Sequence, residues 1–179
     1  QSLLTSQVAT LSSDQLQALT TSQVRSLTST QLRALNSDQL NALETVDLQA
    51  LSSTQLQSLL TSQVATLSSD QLQALTTSQV ASLTSSQVRA LTSDQLNALE
   101  SGDLQVLTSA QLPGLTTTQL ASLSTDQLAL LTTAQVRSLT TEQIASFTSD
   151  QVPLLTTAQV GALSSTQLRA LSSDQLNAL

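Results

Sequence analysis

The nine residues Leu11-Ser12-Ser13-Asp14-Gln15-Leu16-Gln17-Ala18-Leu19 decide how this chain folds. Ser12 stands three residues before Gln15, the spacing of a capping box. The serine oxygen accepts the amide proton of the third helical residue, and the glutamine reaches back to the amide of the cap. With Ser12 as N-cap, Leu11 and Leu16 occupy the two positions of a hydrophobic staple, which fixes the angle at which the chain enters the helix. Asp14 adds a carboxylate in the first turn, where the helix dipole favours it. The reading predicts a helix of about two turns over 13–19, after which Thr20 caps the next one. A rival register puts the cap one residue later, at Ser13, Thr21 and Ser29. It draws support from octads that lack the box: those beginning at Leu4 and Leu60, and the joint changes Glu44/Asp47 and Glu100/Asp103.

Working outward, the same octad accounts for the whole chain. Leucine recurs every eighth residue from Leu3 to Leu179, with Phe147 as the single exception and most simply a core substitution. Gln follows four residues after each framework leucine in 20 of 22 octads, and the next residue is always Leu, Val or Ile. Seventeen octads carry the complete Ser/Thr…Gln box, and Asn36…Gln39 is a close relative. First-turn acids recur at Asp14, Asp38, Asp70, Asp94, Asp126, Glu142, Asp150 and Asp174. Above the octad lies a longer period. Residues 3–58 and 59–114 match at most positions, so seven octads form a duplicated block. Residues 115–170 are a third, drifted block, and 171–179 begin a fourth. We read 1–179 as a single repeat array and expect it to be a segment of a longer chain, since Gln1 opens inside a repeat.

A strand cannot hold this pattern. Leu11 and Leu16 differ in parity, and Leu16 and Leu19 differ again, so no one face collects them. One long helix fails too: eight residues at 100° leave a drift of about 80° per octad, and no apolar stripe persists. Many short capped helices fit, and the expected class is an all-α solenoid with one helix per octad. A helix below about 12 residues is marginal alone in water, so each octad needs neighbours to seal its apolar face. The small residue before each framework leucine (Ala18, Ser26, Ala34, Ala42) allows close approach, whereas Val106, Leu130 and Leu154 are larger there. Acids 24 residues apart hint at three octads per superhelical turn, but intervening gaps of 32 break the series. Arg25, Arg33, Arg89, Arg137 and Arg169 share one octad position with Asn41, Asn97 and Asn177, which marks it as solvent-facing. Pro113 and Pro153 share it as well and predict local helix kinks.

Composition narrows function sharply. The chain has no His, Cys, Lys, Met, Trp or Tyr, and carries a net charge of −7. Without His, Cys or Lys there is no imidazole base, thiolate or amine nucleophile, and the usual ligands of zinc, haem and iron–sulfur centres are missing. A Ser or Thr nucleophile would have no activating base of those kinds. We expect no enzyme, no catalytic residues, no cofactor and no metal. An acidic chain with one aromatic residue lacks the basic face that nucleic acid requires. No apolar run approaches the ~18–20 residues of a membrane span. Calcium binding by the acids is the sharpest alternative, with Glu44/Asp47 and Glu100/Asp103 the densest acidic spots, yet single carboxylates per octad fit the helix dipole better.

The octad resembles the Leu-Thr-Thr-x-Gln-[Val/Ile]-x-Ala repeats of very large secreted or surface proteins of bacteria. Leu-Thr-Thr-Ala-Gln-Val at 131–136 and 155–160, and Leu-Thr-Thr-Glu-Gln-Ile at 139–144, carry the likeness. The resemblance implies an extracellular or cell-surface setting and a mechanical role in adhesin-like or filament-forming proteins, and it transfers no site residues. The expected function is a structural array that extends a rod, filament or surface layer by stacking and self-association, its partner being itself. Two alternatives stand beside it: an adhesion module presenting its Ser/Thr/Gln face to a glycan or protein, with residues 99–116 the nearest candidate, and an intracellular scaffold.

Overall fold

A computed structural model describes residues 3–179. Among these, every regular element is helical: twenty α-helices of four to six residues and two 3-10 turns, one element per octad. The N-cap lies at Ser12, Thr20 and their equivalents, in the register set by the capping box. The rival register is overturned even where it had support, because Leu4, Glu44, Leu60 and Glu100 are themselves N-caps. Each of them holds the extended backbone that starts a helix, and the following Ser or Thr is already helical.

The helices are shorter than two turns. Ser13–Gln17 and Ser29–Ala34 are typical. The reason lies in the two residues between helices. The framework leucine and the next cap are both extended, as at Leu35 (φ −67°, ψ 135°) and Asn36 (φ −79°, ψ 175°). Six helical or near-helical residues and two extended ones therefore make the octad. No described non-glycine residue has positive φ, so the chain turns eight residues at a time without left-handed corners. This explains how an array of 22 octads manages with three glycines.

Pro113 and Pro153 do more than kink a helix. Their octads replace the α-turn with 3-10 turns at Leu112–Gly114 and Val152–Leu154. Gly114 N–H then donates to Gln111 O at 2.9 Å, and Leu154 N–H to Gln151 O at 3.1 Å. A ring nitrogen without a proton cannot extend the α-ladder, and the tighter three-residue bonding absorbs the loss. Asp150 accordingly lies outside any α-helix, unlike the other first-turn acids.

The chain forms two compact units, Gln1–Leu91 and Thr92–Leu179. In the first, Thr21–Arg25 packs on Thr45–Ala50, and Ser29–Ala34 on Ser53–Ser58, which packs in turn on Thr77–Ser82. In the second, Thr133–Ser138 packs on Thr157–Ala162, and Thr141–Ala145 on Ser165–Ala170. Every one of these partners lies three octads away. The fifth and eighth residues of the sealed octads (Leu40 with Leu43, Leu128 with Leu131) are buried and line the core of each unit. Phe147 is buried like the leucines it replaces.

Candidate functional site

The feature that organises both units is a ladder of glutamines. Each begins as half of a capping box. At Thr76, the backbone N–H and the hydroxyl both donate to Gln79 Oε1, at 2.9 and 3.2 Å, and Gln79 N–H donates to Thr76 Oγ1 at 3.3 Å. The same exchange recurs from Ser12/Gln15 to Ser172/Gln175. Where leucine replaces the hydroxyl, half of the box survives: Leu60 N–H still donates to Gln63 Oε1 at 2.8 Å.

The other end of the glutamine does something the capping box does not require. Gln79 Nε2 donates to the carbonyls of Leu48, Gln49 and Leu51 at 2.9, 3.1 and 2.8 Å. Those carbonyls close the C-terminus of a helix four octads earlier, where the last C=O groups lack intrahelical partners. Gln39 reaches Val8, Ala9 and Leu11 in the same way, and in the second unit Gln159 reaches Leu128, Ala129 and Leu131. One side chain thus caps the N-terminus of its own helix and the C-terminus of another. Since helix packing runs to the third octad and amide donation to the fourth, a turn holds between three and four octads. Helix packing over 24 residues matches the spacing of the first-turn acids.

Burial follows from this geometry. Gln7, Gln15 and Gln23 are exposed, and their side-chain amides donate to no carbonyl among the described residues. From Gln31 onward a preceding turn exists to cover them, and Gln87 is only 1% exposed. No fully enclosed side-chain nitrogen or oxygen among the described residues lacks a partner. Sequence reasoning identified the glutamine but assigned it only to the cap. The missed signal was the absence of Glu: a capping box accepts Glu or Gln alike, so a position that takes Gln in 20 octads and Glu in none requires a donor as well as an acceptor.

Smaller caps complete the array. Where the residue before a framework leucine is Ser or Thr, its hydroxyl bonds back to the glutamine carbonyl of its own helix, as in Ser26 to Gln23 O (2.7 Å) and Ser82 to Gln79 O (2.7 Å). The arginine position is solvent-facing as the sequence suggested. Even so, Gln57 and Asn97 use it to reach forward to Ser82 O (2.8 Å) and Ser122 O (3.0 Å). Among the described residues no cluster of three or more acids converges in the manner of a metal centre. An open groove lined by Arg25, Thr28, Gln49, Thr54 and Gln55 carries one charged side chain. No described helix is long and apolar enough to cross a membrane.

This octad is also what places the chain among known sequences. The ALTTAQ repeat matches residues 8–45, 40–77, 71–99, 96–133, 127–157 and 154–179, so that overlapping copies tile nearly the whole length. The chain belongs to the ALTTAQ repeat family. The longest ALTTAQ matches, such as 8–45, span more than four octads and so contain both a glutamine and the carbonyls it caps. No curated protein matches the chain.

Proposed function

We propose that this ALTTAQ array is a non-catalytic structural segment of an extracellular or cell-surface protein, building an extended rod, filament or surface layer by stacking and self-association. The observation that carries the reading is the ladder itself. Each octad satisfies the helix ends of another by one rule, and that rule has no natural stopping point. Such a design propagates a scaffold, and it differs from one that gathers unlike groups around a reacting centre. The setting outside the cell rests on the resemblance to secreted and surface repeats.

The two faces that the described residues present are complementary. Gln15 and Gln23 offer side-chain amides, while the carbonyls of Val160, Leu163, Leu168 and Leu171 receive no side-chain donor among the described residues. Leu4 at one end and Leu179 at the other are also exposed. Further octads, supplied by a second copy or by continuing chain, would meet these groups as Gln79 meets Leu48 and Leu51. The test is electron microscopy of the purified chain across a concentration series, with light scattering in parallel. Filaments or sheets that grow with concentration support the reading. Monomeric particles at every concentration would refute self-association and leave a spacer.

A further inference from the structure

Two octads replace the ladder glutamine, at Asp47 and Asp103, and the first of them changes the chemistry of its position. Asp47 stands where the ladder places Gln, and it is 2% exposed. Its carboxylate makes no hydrogen bond to any described residue, and its octad has no capping box. Glu44, at the N-cap, makes no side-chain cap bond either and is exposed. The flanking octads show what Asp47 faces. Gln39 donates to the carbonyls of Val8, Ala9 and Leu11, and Gln55 to those of Arg25 and Leu27. The same register sets Asp47 over the carbonyls of Leu16, Gln17 and Leu19, at the C-terminal end of Ser13–Gln17. An amide nitrogen there would donate. A carboxylate only accepts, and so do the carbonyls beneath it. Groups of this kind, brought together in a buried position, are reconciled by a positive charge between them.

We propose that Asp47, Glu44 and the carbonyls of Leu16, Gln17 and Leu19 form a binding site for a hard divalent cation of the calcium class. The donor set is all oxygen, which disfavours zinc and copper. Two carboxylates balance a double charge, and neutral carbonyls with water fill an irregular shell of six to eight ligands, which calcium accepts and magnesium does not. The carbonyls also lie at the negative end of a helix. This distinguishes Asp47 from Asp14, Asp38 and their equivalents, which are exposed one position earlier in the octad and serve the dipole of their own helix. A cation in place of the amide links successive turns at this octad, making the stacking there calcium-dependent. The block repeat places Glu100 and Asp103 at the same octad positions, and the proposal concerns the first pair alone.

The test uses the full chain, stripped with chelator, and Asp47→Gln, which restores the residue that 20 other octads carry and so folds as they do. Calcium is titrated calorimetrically, and melting is followed by circular dichroism at fixed ionic strength. In the parent chain, calcium at a hundredfold excess over Kd raises the midpoint by about 5–11 °C. Asp47→Gln loses one calcium equivalent and melts higher than the parent in chelator. Absence of calcium-dependent heat and midpoint overturns the site, as does an unchanged stoichiometry in Asp47→Gln.

Discussion

Replacing Gln79 by Glu separates the two roles of the ladder glutamine in a nearly isosteric change. Glu keeps the acceptor that caps Thr76 and loses the donor that faces Leu48, Gln49 and Leu51. Two N–H donors satisfy those carbonyls, each worth about 1 kcal/mol net. Their loss is compounded by a carboxylate placed against carbonyl oxygens at a position 5% exposed, so the expected cost at pH 7 is about 3–5 kcal/mol. The same change at Gln15 touches no carbonyl ladder. There a first-turn carboxylate gains from the dipole, and stability is unchanged or higher by about 0.3–1 kcal/mol. The penalty of Gln79→Glu also has a sign in pH. The neutral acid can donate its proton to a carbonyl and the anion cannot, so folding raises the pKa of this introduced group above its unfolded value near 4.3. The penalty is therefore nearly absent below about pH 4, grows as pH rises from the unfolded to the folded pKa, and levels off above it. Urea denaturation of both variants and the parent at pH 4 and pH 7, followed by circular dichroism, measures this. Equal costs for Gln79→Glu and Gln15→Glu, or a Gln79→Glu penalty unchanged by pH, would refute the two-ended ladder.

Three further outcomes follow from the same geometry. Leu43→Ala empties a position 3% exposed and is expected to cost about 2–5 kcal/mol, whereas Leu176→Ala, at 46% exposed, should cost under about 1 kcal/mol; equilibrium unfolding compares them. Backbone amides over 5–27 should exchange with deuterium faster than those over 37–59, because the side-chain amides of Gln7, Gln15 and Gln23 are exposed and cap no carbonyl among the described residues; uniform protection would contradict the dependence of each octad on the fourth before it. Pro113→Ala restores an amide at an exposed position and should convert the 3-10 turn Leu112–Gly114 to α-helix with a gain of up to about 1 kcal/mol, read by chemical shifts and melting temperature.

The sequence by itself determined everything local. Ser12 and Gln15 named the helix start, Leu11 and Leu16 the staple, and the eight-residue spacing the class of fold, because capping boxes and staples are interactions between residues three to five apart. Even Leu60 and Glu44, which lack a capping hydroxyl, hold the cap position, since the framework leucine before them is extended and sets the register. The candidate site was half legible: the glutamine was visible as an acceptor but not as a donor, and Asp47 was visible as an acid but not as a buried one.

Only the tertiary structure decided what Gln79 Nε2 meets. Its neighbours lie 28 to 31 residues earlier, and the sequence shows no trace of that distance because all octads look alike. The number of octads per turn depends on how six helical and two extended residues rotate the chain. That rotation accumulates from backbone angles and close packing, and is written in no single residue. Whether a side chain at the glutamine position is exposed, as Gln15 is, or reaches the carbonyls of another turn, as Gln79 does, depends on it.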